Sequence, residues 1–278
     1  ILSFGTAGCN LGGRFCQNWD ISKAREMDKL QDLAMPEQIA LAAHKMNCMG
    51  IAFTYNDPVI FAEYAIDIAK ACKVYDIKRV AVTAGYITPA AREEFYQYMD
   101  AANIDLKAFT QTFYKRLCLA NLEPVLDTLV YLKEKTNVWF EITNLVIPEN
   151  NDDLTEVDEM TRWIMDHLGP DVPLHFTAFH PDFKMMDLPP TPSASLLKAR
   201  DVALNNGLHY VYTGNVHDVT TGSTYCPSCN KVVIERDWYE LGDYHIQAGC
   251  CSYCGYRLAG HFPDTKGDWG RKRVPVSI

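Results

Sequence analysis

The sequence predicts an α/β protein, built as an open or partial (β/α) barrel and followed by a small cysteine-bearing module. Short apolar strand patterns alternate with helix patterns from residue 2 to residue 212. Such alternation is typical of a parallel sheet covered by helices. The alternation stops at a polar stretch, residues 220–223, and closely spaced cysteines follow it. We therefore expect the barrel in residues 1–219 and the second module in residues 220–278.

Local residue chemistry marks the ends of the predicted elements. Pro58 and Pro89 stand at first helical positions, Thr88 is a candidate N-cap, and Gly50 and Gly207 follow helix ends. The expected strands are 2–4, 51–54, 79–83, 104–106, 138–146, 174–179 and 209–212. The expected helices are 36–49, 58–74, 89–99, 112–118, 124–134, 154–167 and 195–205. Strands in this number and order fit a partial barrel.

The composition is that of a soluble globular protein. The chain has 278 residues, of which 48% are hydrophobic and 22% charged, with a formal net charge of -9. This acidic balance argues against nucleic-acid binding, and the basic run 271–273 fits a solvated tail. No apolar stretch approaches the ~20 residues of a membrane span, and no signal peptide is visible. We therefore expect a cytoplasmic protein without a membrane partner.

The segment after the first strand, residues 5–18, is the most informative part of the chain. Cys9 and Cys16 lie there among glycines, in the form Cys-x3-Gly-x-aromatic-Cys. A cysteine in place of Gly13 would give Cys-x3-Cys-x2-Cys, the loop by which radical S-adenosylmethionine (SAM) enzymes hold a [4Fe-4S] cluster. Two buried structural thiols are the simpler interpretation, but the position after strand one among glycines favours a cluster loop.

The wording of this loop, G-T-A-G-C-N-L-G-x-R-F-C-Q-N-W-D-I-S, resembles the radical SAM enzyme of the AmmeMemoRadiSam system. That family is similar to the pyruvate formate-lyase activating enzymes. The resemblance recurs in short motifs along nearly the whole chain and extends to the cysteine-rich tail. These motifs are residues 54–58, 82–86, 105–107, 145–148, 179–181 and 212–215. Members of that family carry a further N-terminal segment, and Ile1 begins inside a strand, so we expect the chain to be a fragment.

The resemblance implies reductive cleavage of SAM at a [4Fe-4S] cluster. One electron from the cluster enters the sulfonium, and the resulting 5′-deoxyadenosyl radical abstracts a hydrogen atom from the substrate. Similarity to the activating enzymes implies a protein glycyl substrate, and a small-molecule substrate is equally open. An electron donor such as flavodoxin or ferredoxin is implied as a partner.

Polar residues follow successive strands of the predicted barrel, where active sites of this architecture lie. They are Tyr55, Asn56 and Asp57 after strand two, Thr83 and Gly85 after strand three, Asp105 and Lys107 at strand four, and His180 after strand six. The resemblance implies that they bind SAM, with residues 55–57 at its amino group, Lys107 at its carboxylate and His180 against its nucleoside. Local roles are the alternatives: Asp57 as a helix N-cap, Asp105 with Lys107 as a surface pair, and His180 as a satisfied rim side chain.

Gly13 stands where this family places the middle cluster ligand, and glycine offers no thiolate. Because SAM chelates one iron, three protein thiolates are needed for the other irons. With only Cys9 and Cys16 in the loop, a partial cluster, an outside ligand and an empty loop are all open. We therefore expect impaired activity. The alternative is a non-catalytic SAM-binding or scaffold protein that uses its second module for docking.

The second module carries the pattern C-x2-C-x21-C-x2-C at Cys226, Cys229, Cys251 and Cys254. Two such pairs predict a zinc ribbon, a closed structural site of four thiolates. Cys250 is adjacent, but only Cys251 gives the two-residue spacing. A second iron–sulfur centre is the alternative. Zinc is favoured because each pair fits one knuckle, and residues 232–234 and 244–246 between the pairs predict a hairpin.

The remaining cysteines of the ten, Cys48, Cys72 and Cys118, lie within apolar helix patterns, so we interpret them as core packing residues. A disulfide framework is not expected in a large chain without a secretory signal. The clustering of the other cysteines therefore favours metal binding.

Overall fold

A computed structural model of the chain describes residues 1–24, 33–270, 272–276 and 278. Across the described part of the chain, seven strands follow one another in chain order in one sheet. The strands run parallel, as in the β1–β2, β2–β3 and β6–β7 pairs, which confirms the predicted fold class. The strands are β1 (Leu2–Phe4), β2 (Gly50–Phe53), β3 (Lys78–Thr83), β4 (Ala101–Asp105), β5 (Trp139–Val146), β6 (Leu174–Ala178) and β7 (Val211–Gly214).

Helices connect successive strands, as parallel pairing requires. They are α1 (Trp19–Ser22), α2 (Pro36–Lys45), α3 (Ala62–Cys72), α4 (Pro89–Tyr96), α5 (Gln111–Phe113), α6 (Glu123–Lys135), α7 (Leu154–Leu168), α8 (Ser193–Asn205) and α9 (Val219–Gly222). Turns of 3-10 helix flank α3 at Pro58–Phe61 and Lys73–Tyr75, and a π-helical turn, Tyr114–Cys118, extends α5. Within the described residues, none of the helices has the length and apolarity that crossing a lipid bilayer requires.

The first of two compact units comprises Ile1–Glu141, Pro181–Leu188 and Val276–Ile278. Strand β2 is buried at every position, as expected of a parallel strand with both faces covered. The backbone N–H of Arg79 donates to Asp100 at 2.8 Å, and the Arg79 guanidinium lies 2.9 Å from the same carboxylate. This half-buried pair ties the beginning of β3 to the beginning of β4.

The second unit comprises Ile142–His180 and Pro189–Pro275. It includes the small strands of the cysteine module. They are β8 (Thr224–Tyr225), β9 (Val232–Asp237), β10 (Glu240–Tyr244), β11 (Ile246–Gln247) and β12 (Cys250–Cys251). Tyr212 of β7 joins the module to the large sheet. Its hydroxyl lies 3.1 Å from that of Thr224, and the Arg236 guanidinium lies over its ring at 5.7 Å.

The hairpin predicted inside the module is present. Strands β9 and β10 pair antiparallel, with Tyr244 opposite Ile234. The core beneath this hairpin consists of only a few buried side chains, among them Val233, Ile246 and Leu258. Such a small core supplies little stability by itself, so a bound metal would be expected to contribute to folding.

Three sequence predictions were wrong in detail. The helix predicted over 36–49 ends at Lys45, and Gly50 begins β2 instead of closing the helix. Cys48 therefore lies in the connecting turn and is half-buried, so it is not a core residue as expected. Thr88 occupies the N-cap position of α4, but its side chain makes no capping hydrogen bond. The boundary between residues 219 and 220 stays a prediction.

Candidate functional site

Residues 5–18, here called the cluster loop, follow β1, and the Asn56 side chain holds their beginning. The Asn56 amide donates to the Gly8 carbonyl at 2.8 Å and to the Thr6 hydroxyl at 3.2 Å, and its oxygen accepts from the Thr6 N–H at 3.3 Å. Gly5 allows this close approach, since a Cβ there would overlap the carbonyl oxygen of Thr54. The turn after β2 thus fixes the loop after β1.

The π-helical turn Tyr114–Cys118 holds the middle of the cluster loop. The N–H of Gly12 donates to the Cys118 carbonyl at 2.8 Å, and the N–H of Arg14 donates to the Leu117 carbonyl at 2.9 Å. π-Turns are rare and occur frequently at functional sites. Here the turn offers consecutive carbonyls to the two neighbours of Gly13, so the backbone at that position is fixed from both sides.

The two loop thiols lie in polar surroundings and are half-buried. The Cys9 sulfur accepts the N–H of Leu11 at 3.4 Å, and the Cys16 sulfur lies 3.1 Å from the Ser22 hydroxyl. Burial raises the pKa of Cys9, while the Leu11 N–H opposes that rise. Such N–H contacts favour a thiolate, which is the form that binds iron.

Gly13 does not supply the ligand that a site-differentiated [4Fe-4S] cluster would require at this position of the loop. Its φ lies outside the left-handed region, and a Cβ built on it would meet no heavy atom of the described residues within 4 Å. The backbone could therefore carry a cysteine there, but the residue present has no donor atom. Cys9 and Cys16 fit two of the three required ligands, so the loop as it stands does not fit the complete cluster.

Asp57 is a buried structural carboxylate. One oxygen accepts the Thr83 hydroxyl at 2.8 Å and the Val59 N–H at 3.1 Å, and the other accepts the Ala84 N–H at 2.8 Å. Only 2% of the residue is exposed. Burial raises the pKa of Asp57, and these hydrogen bonds oppose the rise. The side chain caps the turn that begins at Pro58 and joins the ends of β2 and β3.

Lys107 and Asp105 form a half-buried ion pair after β4. Their side-chain nitrogen and oxygen lie 2.9 Å apart, and the Lys107 ammonium lies 5.7 Å from the centre of the Phe15 ring in the cluster loop. Burial alone would lower the pKa of Lys107, but Asp105 reverses this and the net shift is upward. The same ammonium acts electrostatically on Cys9 and Asp57. The structure thus places Lys107 close enough to Cys9 and Asp57 for its positive charge to lower the pKa of both groups.

The other predicted contacts lie at strand ends. Tyr55 is exposed, has a positive φ of 70°, and its hydroxyl lies 2.9 Å from that of Ser3. Thr83 and Gly85 are buried beside Asp57, and Gly85 adopts φ 66°. His180 belongs to the second unit, where it is exposed directly after β6. Residues 55–57, 83–85 and 105–107 all belong to the first unit.

Some residues that shape the cluster loop were not singled out from the sequence. Lys184 donates its backbone N–H to the Arg14 carbonyl at 3.1 Å, and Phe183 stacks on Trp19 at 5.7 Å. Lys23 donates its ammonium to the Leu11 carbonyl at 2.9 Å. The contact between Lys184 and Arg14 joins backbone groups, which leave no residue-type signal in a sequence, and the other two contacts use side chains that no sequence motif pairs with their partners.

The second candidate site is a four-cysteine centre in the second unit. The sulfur atoms of Cys226, Cys229, Cys251 and Cys254 all lie within 4.8 Å of one another, and Cys250 is not part of this group. Burial raises the pKa of Cys226 to about 12, whereas the Tyr256 N–H lowers that of the exposed Cys254 to about 7. Four convergent thiols fit a tetrahedral metal site.

The two halves of this centre repeat one backbone design. The carbonyl of Cys226 accepts the N–H of Asn230 at 2.9 Å, and that of Cys251 accepts the N–H of Gly255 at 2.8 Å. Asn230 and Gly255 both adopt positive φ, 56° and 76°. Each is the fourth residue after the first cysteine of its pair. Asn and Gly are the residue types that adopt this conformation most readily, so both knuckles are encoded locally.

Comparison with known proteins identifies the family of the barrel. The model of the radical SAM superfamily matches residues 4–161, more than half of the chain. An uncharacterized protein of Methanocaldococcus jannaschii is 36% identical over 260 residues, which are 93% of this chain and 77% of that protein.

Activating enzymes are found among the more distant relatives. The (2S)-3-sulfopropanediol dehydratase activating enzyme of Klebsiella oxytoca is 23% identical over 121 residues, or 43% of this chain and 38% of that enzyme. A crystal structure of a domain of pyruvate-formate lyase-activating enzyme from Bacteroides vulgatus superimposes with a TM-score of 0.53 at 18% identity. That likeness, which covers 60% of this chain and 99% of the domain, shows a shared fold.

Alanine at two glycines of the cluster loop should have opposite consequences. Gly5→Ala forces a Cβ against Thr54 and should lower the free energy of unfolding by about 1–3 kcal/mol. Gly13→Ala, the matched control, meets open space and should change stability by less than about 1 kcal/mol, in the stabilising direction. Urea unfolding followed by circular dichroism measures both. Equal stability of the two variants would contradict the packing described for Gly5.

Asp57→Asn should destabilise the protein although it changes no volume. The new amide NH2 would face one of the two N–H donors or the hydroxyl, leaving a buried donor without an acceptor, which costs about 1–3 kcal/mol. Asp76→Asn is the control, since the Asp76 side chain is 90% exposed and its φ of 52° suits asparagine. Urea midpoints of the two variants give the comparison. If Asp57→Asn unfolds at the same urea concentration as the parent, the carboxylate is not structural.

Proposed function

This chain belongs to the radical SAM superfamily, and we propose that it is an activating-enzyme-like member whose cluster loop lacks one ligand. Within the superfamily, the motifs favour the AmmeMemoRadiSam type. When both are bound, a [4Fe-4S] cluster and SAM supply a 5′-deoxyadenosyl radical for hydrogen abstraction. The substrate is proposed to be a protein glycyl residue or a small molecule, and the electron donor a cytoplasmic flavodoxin or ferredoxin.

The geometry of the cluster loop is the observation that carries this proposal. Asn56 holds its beginning, and the π-turn carbonyls of Leu117 and Cys118 hold its middle. Cys9 and Cys16 are the residues that would bind the cluster, and Gly13 leaves one position without a ligand. The protein's proposed contribution is to fix the loop and to keep water away from the bound groups.

SAM is proposed to bind where the first unit's strands end. Lys107 supports this, because its ammonium would attract the SAM carboxylate while Asp105 keeps it charged. The Asp57 carboxylate is already engaged by three donors. Its proposed contribution is therefore to hold the turn at Tyr55 and Asn56, whose backbone groups would receive the SAM amino group. Thr83 and Gly85 are proposed to complete this rim. The proposed contact of His180 with the nucleoside rests on the sequence resemblance alone.

A non-catalytic SAM-binding or scaffold protein is the second candidate, and Gly13 is the observation that favours it. In that case the strand-end rim would bind SAM without cleaving it. The four-cysteine module would serve for docking. The two candidates predict different results for Gly13→Cys. If the chain is an enzyme that lacks one cluster ligand, this variant should cleave SAM, whereas a non-catalytic protein should not.

Gly13→Cys should convert the loop into a complete cluster site. The new thiolate enters space that no described atom occupies, so the fold should accept it. After anaerobic reconstitution, the variant should hold on the order of 4 iron atoms per chain and form 5′-deoxyadenosine from SAM and dithionite. The parent and Gly13→Ala should hold fewer iron atoms and react slowly or not at all. Iron and sulfide analysis, electron paramagnetic resonance and chromatography give the readouts.

Two results would redirect this proposal. A parent chain that forms 5′-deoxyadenosine as fast as Gly13→Cys would show that some other group completes the cluster. A Gly13→Cys variant that binds SAM by calorimetry but assembles no cluster would favour the non-catalytic candidate.

The four-cysteine centre is proposed to hold structural zinc. Aerobically purified protein should contain about one zinc per chain, since a closed four-thiolate site fills once. Cys226→Ser removes a buried ligand, so zinc should be lost and the module should become protease-sensitive. Cys250→Ser lies outside the four-sulfur group and is the matched control, which should keep its zinc. Iron in place of zinc, or unchanged metal content in Cys226→Ser, would contradict the assignment.

A further inference from the structure

The sulfur atoms of the four-cysteine centre differ in their access to solvent. Cys226 and Cys251 are each only 1% exposed, Cys229 is half-buried, and Cys254 is exposed. A small polar oxidant that arrives from solvent therefore meets Cys254 first. Exposure, together with thiolate character, decides which cysteine of a protein is oxidised.

Two sulfur–sulfur contacts join the first cysteine pair of the centre to the second. The sulfur of Cys226 lies 3.6 Å from that of Cys254, and the sulfur of Cys229 lies 3.8 Å from that of Cys251. A disulfide bond is about 2 Å long, so each contact needs a movement of less than about 2 Å to become a bond. The two contacts use each cysteine once, so both bonds can form in the same molecule.

Contacts outside the centre hold its two knuckles, residues 226–230 and 251–255, side by side. The ammonium of Lys231, which follows the first knuckle, lies 4.6 Å from the centre of the Tyr253 ring in the second. The same ring contacts that of His245, with 4.8 Å between the ring centres. The sulfur pairs are therefore brought together by the fold as well as by any metal that they bind.

We propose that Cys254 is a site of oxidation by peroxides, and that Cys226 converts the oxidised sulfur into a disulfide that joins the two knuckles. The Cys254 thiolate attacks one peroxide oxygen and becomes a sulfenic acid, while the other oxygen departs as hydroxide. The Cys226 thiolate then attacks the Cys254 sulfur and a second hydroxide leaves. Two thiolates, one hydrogen peroxide and two protons from solvent thus give one disulfide and two waters.

The consequence for the centre is loss of its metal. The proposal rests on the zinc site proposed above, because a sulfur in a disulfide no longer serves as a thiolate ligand and zinc would keep only two of its four ligands. Cys229 and Cys251 are then oxidised by a second peroxide in the same way. The knuckles stay cross-linked after the metal has left, so the oxidised module should keep its fold.

Peptide mapping distinguishes disulfides between the knuckles from disulfides within each knuckle. Trypsin cleaves after lysine and arginine, which places Cys226 and Cys229 in peptide 201–231 and the module's other three cysteines in peptide 237–257. Disulfides between the knuckles join these peptides, whereas disulfides within the knuckles leave them separate, each lighter by two hydrogen atoms. Zinc-loaded parent protein is treated with hydrogen peroxide, blocked with N-ethylmaleimide, digested without reductant and analysed by mass spectrometry.

Limiting peroxide should join the two peptides and leave N-ethylmaleimide on Cys229 and Cys251, because the pair that contains the exposed sulfur reacts first. Excess peroxide should abolish these two labels and release about one zinc per chain, read with a chromogenic chelator. Reductant together with zinc should restore the thiols and the metal. Cys250→Ser is the matched control. It changes a neighbouring cysteine outside the four-sulfur group and should give the same linked peptides and the same zinc release.

Separate outcomes distinguish failure of this proposal from failure of the zinc assignment. Zinc-loaded protein that yields separate, lighter peptides, or a Cys254 that stays available to N-ethylmaleimide, would overturn the proposed oxidation and leave the zinc site standing. Linked peptides that disappear in Cys250→Ser would also overturn it, since Cys250 would then be the reacting thiol. Protein that holds no zinc as purified would overturn the metal assignment, and the release step with it.

Discussion

The buried carboxylate of Asp57 is the interaction on which the first unit's site depends. It accepts hydrogen bonds from the turn at Pro58 and from the end of β3, so it holds the ends of β2 and β3 together. Its neighbour Asn56 then reaches the loop after β1. An ionised buried carboxylate without such partners would be costly. The three donors therefore allow the Asp57 carboxylate to be buried in a stable fold, and the carboxylate in turn fixes the ends of β2 and β3.

The contacts that fix the cluster loop do not involve the side chains that would bind a cluster. Gly5 lets the loop pack against Thr54, and the π-turn supplies acceptors on both sides of Gly13. None of these contacts involves the side chain that the family places at position 13. A glycine at position 13 is therefore compatible with the loop conformation that these contacts hold.

The four-cysteine module is stabilised in a different way from the cluster loop. Its knuckles are built from short-range contacts, with Asn230 and Gly255 providing the same left-handed turn in each. Its apolar core is small. Tyr212 of β7 contacts the module at Thr224 and Arg236, and the hydroxyl of Thr213 contacts that of Thr221. Metal affinity would therefore stabilise a module whose burial alone is modest.

The sequence by itself determined the parallel α/β class, the order of the strands and the four-cysteine pattern. Each of these depends on local periodicity or on fixed spacing, which a sequence displays directly. It also marked Cys9, Cys16 and the anomaly at Gly13. The end of α2 was misplaced, because the apolar pattern continued through Cys48 while the backbone turned at Met46.

Only the tertiary structure decided what the rim residues contact. The sequence predicts that Asp57 binds SAM, yet its oxygens accept hydrogen bonds from Thr83, Ala84 and Val59. The π-turn carbonyls that hold Gly12 and Arg14 come from about a hundred residues away and carry no side-chain signature. Hydrogen bonds between distant backbone groups depend on how the strands and turns pack together. That is why the sequence could name candidate residues, while the contacts of those residues came from the fold.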